Sequence, residues 1–398
     1  MTSNNNLNVE KNKVEVSKNV PDLRFQGFID DWEQRKLGAE VINIGTGRSS
    51  FTSGVEKSNE TPFPVLGSTS IISYDSEFDH LGDFVLTARV GANAGNLYKY
   101  AGNVKISDNT VYIQSNNLNF IFYLLTKFDV KKLSFGTGQP LIKASELKNL
   151  SLHFPIDDEQ QKIGSFFQQL DNTIALHQRK LDRLKLLKQG YLHQLFPKND
   201  EEVPSIRFAY FENKWEQRKL GDLLTKNSKK NKDLNVTNVE SVSNKTGFTK
   251  QTEQFEDYSV ASADLSNYYV ITEKQFAYNP SRINVGSIAY KAVGDDKSVV
   301  SPLYVSFSTK KLLNDGYLWN WFKTTSFQSQ RERLSEGGVR DTLSFNQLSE
   351  MLINVPEYLE QEKIGSFFKQ MDDAIALYLS KLDKLKSIKQ SLLQKMFI

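Results

Sequence analysis

Few residues in this chain have the type and spacing of a catalytic apparatus. Glu146-Leu147-Lys148 has the Glu-x-Lys spacing of many nucleases. A lone tripeptide is a weak signal, and Gln347-Leu348-Ser349 stands in its place in the second half of the chain. Tyr278-Asn279-Pro280-Ser281 begins like the Asn-Pro-Pro-aromatic site of amino-methyltransferases but departs from it at the third and fourth residues, and no cofactor fingerprint accompanies it. Gly45-Thr46-Gly47 and the pair Gly91 and Gly95 read as glycine-rich turns without the Lys that a phosphate cradle needs. No G-x-x-x-x-G-K-[ST] occurs, which argues against an ATP motor. His80, His153, His177 and His193 are scattered, which suits packing and surface roles. With no Cys in 398 residues, thiol nucleophiles, thiolate zinc sites and disulfides drop out together. The residues predict neither a catalytic nor a metal site.

What remains is a set of polar side chains in turns. In the first half these are Arg89 and Asn93 in a Gly-flanked loop after a strand, then Lys99, then Gln139 and Lys143 after Gly136-Thr137-Gly138. In the second half they are Arg282, Asn284, Ser287 and Lys291 around Gly286, and Arg340 after Gly337-Gly338. Arg, Lys, Asn and Gln are the types that read base edges, and Lys, Arg and small polar groups hold phosphates. Loops after strands present such donors on a fixed base. Lys226, Lys229, Lys230 and Lys232 form the densest basic run and read as a solvated loop that could track phosphates. The net charge of +3 neither supports nor opposes a polyanionic partner.

The elements that position these residues are set by repetition. Glu159-Gln160 followed by Lys162-Ile163-Gly164-Ser165-Phe166-Phe167 returns 201 residues later as Glu360-Gln361 followed by Lys363-Ile364-Gly365-Ser366-Phe367-Phe368. Within the first copy Ile163, Phe167, Leu170, Ile174, His177, Leu181, Leu184, Lys188, Tyr191 and Leu195 alternate steps of four and three. The second copy does the same from Ile364 to Met396. That spacing predicts a helix of about 36 residues, roughly 55 Å long, with a narrow apolar seam. Lys188 and Lys389 break the seam at the same place. Neither helix can bury its seam alone, so each is expected to pack on the other. In each of the pairs Phe166-Phe167 and Phe367-Phe368 both rings cannot face one partner helix. These four are therefore core or, for one of each pair, covered by the bodies or by a docked partner, for which they are the candidates.

A second repeat opens each half. Val20-Pro21-Asp22-Leu23-Arg24-Phe25 and Trp32 to Gly38 match Val203-Pro204-Ser205-Ile206-Arg207-Phe208 and Trp215 to Gly221. The chain is thus expected to divide into a polar tail at 1–19, a first domain at 20–158, a long helix at 159–196, a linker at 197–202, a second domain at 203–359 and a second long helix at 360–397. The bodies between the repeated segments, about 39–150 and 222–351, differ in sequence almost everywhere and read as α+β. Strands are expected at Phe84–Thr87, Asn109–Gln114, Tyr268–Thr272 and Val299–Ser308, and helices at Phe120–Lys127 and Tyr317–Ser329. A body of ~150 residues has a radius of gyration near 15 Å. It returns the chain to the end of helix one more easily than to a point ~55 Å away, so the helices are expected to run antiparallel as an intramolecular coiled coil with pseudo-twofold character. No apolar run approaches the roughly 18 residues of a membrane span, and no signal-peptide core opens the chain. The lack of Cys fits a reducing compartment, so a cytoplasmic location is expected.

The repeated frame, with Glu-Gln-x-x-Ile before a long helix, twice, around two dissimilar bodies, resembles the specificity subunit of type I restriction–modification enzymes. The resemblance covers nearly the whole chain apart from the tail. It implies that each body is a target recognition domain reading one half of a bipartite site in double-stranded DNA, and that the helices set the unread spacer. It also implies two modification (methyltransferase) subunits docked on the frame and restriction subunits that translocate and cut DNA. S-adenosylmethionine, ATP and Mg would sit on those partners, leaving this chain non-catalytic. A two-headed adaptor that binds proteins, with no DNA role, fits the same geometry.

Overall fold

A computed structural model describes residues 19–134, 140–198, 201–244, 246–250, 264–335 and 342–398. The chain divides into two compact units. One ends at Gln178 and takes in Ser380–Ile398, and the other is Arg179–Leu379. The division falls near the middle of both long helices.

In the first unit the opening segment makes strand β1 (Glu33–Lys36) and the short helix α1 (Leu37–Glu40). β1 pairs antiparallel with β8 (Ser151–Phe154), and the Leu37 N–H donates to the Leu150 carbonyl. Between them lie β2 (Asn43–Thr46), β3 (Phe63–Leu66), β4 (Ile71–Asp75), β5 (His80–Ala88), β6 (Leu97–Ile106) and β7 (Thr110–Gln114), in the sheet order β2-β7-β5-β6-β3-β4. Helix α2 (Leu118–Phe128) and α3 (Ala144–Asn149) complete the body. The run Phe84-Val85-Leu86 is apolar throughout because β5 is covered on both faces. Phe84 and Leu86 pack with Leu66, Val104 and Ile106, while Val85 points to the cluster under α2. Gly45 and Thr46, expected in a turn, are the last residues of β2.

The second unit repeats the plan with β9 (Glu216–Lys219) and α5 (Leu220–Leu223), β9 pairing with β18 (Leu352–Val355). The body holds β10 (Leu224–Lys226), β11 (Glu240–Ser243), β12 (Gly247–Lys250), β13 (Tyr269–Ile271), β14 (Gln275–Tyr278), β15 (Ile288–Tyr290), β16 (Ser298–Val300) and β17 (Val305–Thr309). Its main sheet runs β10-β17-β14-β15, the same order and antiparallel sense as β2-β7-β5-β6. Two expectations are corrected here. The single strand at Val299–Ser308 is two strands in different sheets, because Pro302 lacks an N–H and a turn closed from Tyr304 N–H to Ser301 O reverses the path. The single helix at Tyr317–Ser329 is α6 (Asp315–Trp321) followed by α7 (Thr325–Ser335). Thr324 divides them, its hydroxyl donating to the Trp321 carbonyl at 2.7 Å. A short helix, α8 (Phe345–Glu350), precedes β18 and carries a full capping box from Ser344 and Gln347.

The long helices are α4 (Asp157–Leu195) and α9 (Tyr358–Met396), 39 residues each. Every seam position of both is buried or half-buried. In the first unit Ile163, Phe167 and Leu170 share a core with Leu392, Leu393, Met396 and Phe397. In the second, Tyr191, Leu195 and Phe196 share one with Ile364, Phe367, Phe368 and Met371. Within each unit the start of one helix therefore meets the end of the other, which is antiparallel packing. The seam lysines are paired. Lys389 Nζ lies 2.5 Å from Asp171 in the first unit, and Lys188 pairs with Asp372 in the second. Among the described residues, no helix is long and apolar enough to cross a membrane.

Candidate nucleic-acid interface

The recurring Glu-Gln is the joint between frame and body. Glu159, fully buried, receives both Arg24 Nε–H and an Nη–H at 2.7 Å. Glu360 receives Arg207 in the same bidentate way at 2.9 and 2.7 Å, and also the Trp215 indole N–H at 3.2 Å. These carboxylates hold both guanidinium groups further into their charged form, above the usual arginine range. Gln160 and Gln361 donate to the carbonyls of Pro155 and Pro356, and each reaches the start of a body helix. Asn117 Nδ2–H donates to Gln160 Oε1, and Asn314 N–H donates to Gln361 Oε1. Gly164 is required there: a Cβ would lie 2.8 Å from the Phe120 amide nitrogen.

Each sheet presents a loop between equivalent strands. Between β5 and β6 runs Arg89 to Asn96; between β14 and β15 runs Asn279 to Ser287. Both reach a glycine with φ of 85°, Gly95 and Gly286. Both are pinned by a backbone bond accepted from the segment before the next short helix, and the first loop also donates one to it, from Gly91 N–H to Pro140 O at 3.2 Å. The Ile142 N–H donates to Arg89 O at 2.7 Å, and the Leu343 N–H donates to Pro280 O at 3.0 Å. The first pin brings exposed Lys143 to the same neighbourhood as exposed Arg89 and Asn93. In the second loop Arg282 and Asn284 are exposed. Asn279, the Asn of the methyltransferase-like tetrapeptide, uses its side-chain oxygen to accept the Ser281 N–H, a local turn rather than a substrate site.

Three candidate contacts are corrected by burial and pairing. Lys99 Nζ donates to Asn119 and Gln168 and stands over the rings of Phe122 and Tyr123. Burial lowers its pKa, with Lys389 adding to the effect and Asp171 opposing it. Ser287 is buried and donates to the Val242 carbonyl. Lys291 is buried, ion-paired with Glu240 at 2.6 Å and set over Phe248. These side chains hold the body together and are not offered to a ligand. Gln139 and Arg340 lie outside the described residues. Lys143 is exposed but carries an ion pair to Glu146 at 3.1 Å. Sequence reasoning missed Arg48. The Gly47 and Ser49 N–H groups bond to Thr110 O and Ile106 O, and the Arg89 N–H bonds to Asn109 O, so exposed Arg48 joins the same end of the sheet. Only its position after Gly47 hinted at a loop.

The four Phe residues are mostly used inside the chain. Phe167 and Phe368 have no exposed area, which removes them from any docking surface. Phe166 packs edge-on against Phe25, and Phe367 against Tyr191 and Phe208. The second Phe of each pair is thus core, and the first is covered in part by its own opening segment. Among the described residues no group of three His, Asp or Glu is placed to hold a metal ion.

Comparison with known proteins bears on this arrangement. A family model described as the type I restriction modification DNA specificity domain matches residues 29–186 and again 212–387. The EcoprrI specificity subunit of a type I restriction enzyme from Escherichia coli is 24% identical over 157 residues, 38% of this chain and 39% of that protein. The MjaVIII specificity subunit from Methanocaldococcus jannaschii is 25% identical over 142 residues, 34% of this chain and 33% of its own. The aligned stretches thus span about two fifths of these relatives or less. A crystal structure of the type I restriction–modification S subunit from M. genitalium shares the fold, with a TM-score of 0.65 at 16% identity over 95% of this chain and 99% of that one.

Proposed function

We propose a role from one premise: this chain belongs to the type I restriction–modification DNA specificity family, whose domain model matches it twice. It serves as the sequence-reading subunit of a DNA-modifying complex and carries no catalytic centre of its own. Each sheet-based body reads one half of a bipartite, asymmetric site in double-stranded DNA, and α4 and α9 set the unread spacer. Two modification subunits dock on the frame and bring S-adenosylmethionine. Restriction subunits bring ATP and Mg. The complex works on cytoplasmic DNA. Arg48, Arg89, Asn93 and Lys143 in one body, and Arg282 and Asn284 in the other, are the described candidates for DNA contact. Gln139 and Arg340 stay candidates from sequence.

The observation that carries the reading is one scaffold used twice with unlike loops. Strand order β2-β7-β5-β6 recurs as β10-β17-β14-β15, yet the loops carry different side chains. Equal frames with unequal readers suit an asymmetric target. The test is to map methylated adenines in DNA from cells that carry the chain with its partner subunits, then exchange the body at 39–150 for one from another family member. One half of the methylated sequence is expected to change while the other half stays. A change in both halves, or in neither, refutes the reading.

A further inference from the structure

The two loops permit a finer division than a list of candidate contacts. They follow equivalent strands, reach a left-handed glycine, and are pinned by the same kind of backbone bond, from Ile142 and from Leu343. Each carries Asn two residues before that glycine: Asn93 before Gly95 and Asn284 before Gly286. Both asparagines are exposed. Their arginines do not correspond. Arg89 is the first residue of its loop and is itself the pinned residue, whereas Pro280 occupies the pinned place in the second loop and Arg282 follows it by two residues.

We propose that Asn93 and Asn284 hold the phosphate backbone in register in both half-sites, while Arg89 and Arg282 read base edges, each in its own half-site. This rests on the DNA-reading role proposed above. A feature common to two readers of unlike sequences cannot be the source of their difference. A side-chain amide can donate to a phosphate oxygen whatever the base. A guanidinium can fork onto O6 and N7 of guanine, and moving it along the loop moves the base pair it meets. The rest of each loop is occupied with itself. Asn93 Oδ1 accepts from Asn96, and the N–H groups of Val285, Gly286 and Ser287 close onto Arg282 and Ile283 carbonyls. The backbone is thus a fixed platform on which the Asn is shared and the place of the Arg is what differs.

The experiment uses the chain assembled with its modification subunits and compares Asn93→Ala, Asn284→Ala, Arg89→Ala and Arg282→Ala. Methylated sequences are mapped in cells, and binding to the mapped site and its single-base variants is measured by the purified complex. Each Asn variant is expected to bind about 5- to 10-fold more weakly to the site and to all its variants alike, with the methylated sequence unchanged. Each Arg variant is expected to lose roughly 5- to 100-fold discrimination at one base pair, in one half-site only. Arg282→Lys keeps the charge but loses the fork, and is expected to keep much of the affinity while losing the discrimination. An Asn variant that alters the methylated sequence overturns the proposal, as does an Arg variant that leaves discrimination intact. If the unaltered complex shows no sequence preference at all, it is the DNA-reading role itself that falls.

Discussion

Replacing Glu159 by Ala should cost more than replacing almost any other charged residue of the frame. Its carboxylate is fully buried and takes two N–H bonds at 2.7 Å from Arg24, whose own side chain is 13% exposed. Removing Glu159 leaves the half-buried Arg24 charge unpaired, and the cost of a fully buried pair, about 3–5 kcal/mol, is its upper bound. Glu360→Ala should cost about 1 kcal/mol more, because the Trp215 indole N–H loses its acceptor too, whereas Trp32 Nε1 has no hydrogen-bond partner among the described residues. Native-state hydrogen exchange reads each effect locally. The Leu23 N–H, bonded to Lys395 O, reports the first joint, and the Ile206 N–H, bonded to Gln194 O, reports the second. Replacing both partners, Arg24→Met with Glu159→Leu, should return most of the loss, since a buried pair gains little over an apolar one. If Glu159→Ala lowers the opening free energy at Leu23 by less than about 1 kcal/mol, the joint is not held by this pair and the reasoning fails.

Two further outcomes can be measured by chemical denaturation. Gly164→Ala should destabilise by about 1–2 kcal/mol, because the crowding at Phe120 exceeds the gain of about 1 kcal/mol in helix propensity; Gly190→Ala, with nothing within 4 Å of the added Cβ, should stabilise by up to about 1 kcal/mol. Lys323 lies over Trp319, and burial, with Lys188 nearby, lowers its pKa to about 7. The unfolded chain then binds more protons than the folded one between pH ~7 and ~10.5, so this residue makes stability rise with pH across that window and withholds a few kcal/mol below it. Lys323→Met should remove that part of the slope, and an unchanged pH profile would contradict the burial argument.

The long helices were legible because their signal is periodic: the seam positions from Ile163 to Leu195 and from Ile364 to Met396 all lie on the covered side. Even the seam lysines had a visible answer, since Asp171 and Asp372 recur at the same offset as Lys188 and Lys389. The likeness of the two bodies was not legible. A central strand covered on both faces asks only for a run of largely apolar residues, and Phe84-Val85-Leu86 meets that demand as well as Phe276-Ala277-Tyr278 does. Loop polarity misled most. Lys99 meets Gln168, and Lys291 meets Glu240, across separations of 69 and 51 residues, and no local pattern tells such a Lys from a free one.

The unequal sharpness of the two repeats has a physical cause. Recurring frame residues bond mainly to other recurring residues: Arg24 and Arg207 to the Glu of Glu-Gln, Gln160 and Gln361 to a Pro carbonyl, Leu37 and Leu220 to the chain just before β8 and β18. A change at one leaves its partner unsatisfied, so both copies are held to one solution. At Gln160 and Gln361 each body contributes a donor to the amide oxygen, and the second body also offers the Leu312 carbonyl to the Gln361 Nε2–H at 3.1 Å. The first body supplies the donor from the Asn117 side chain, and the second from the Asn314 backbone. A joint that accepts either source makes little demand on the body attached to it. That tolerance lets one recurring frame carry two bodies of unlike sequence, provided each ends its approach with a donor facing that Gln and a backbone close enough to need the Gly of the long helix.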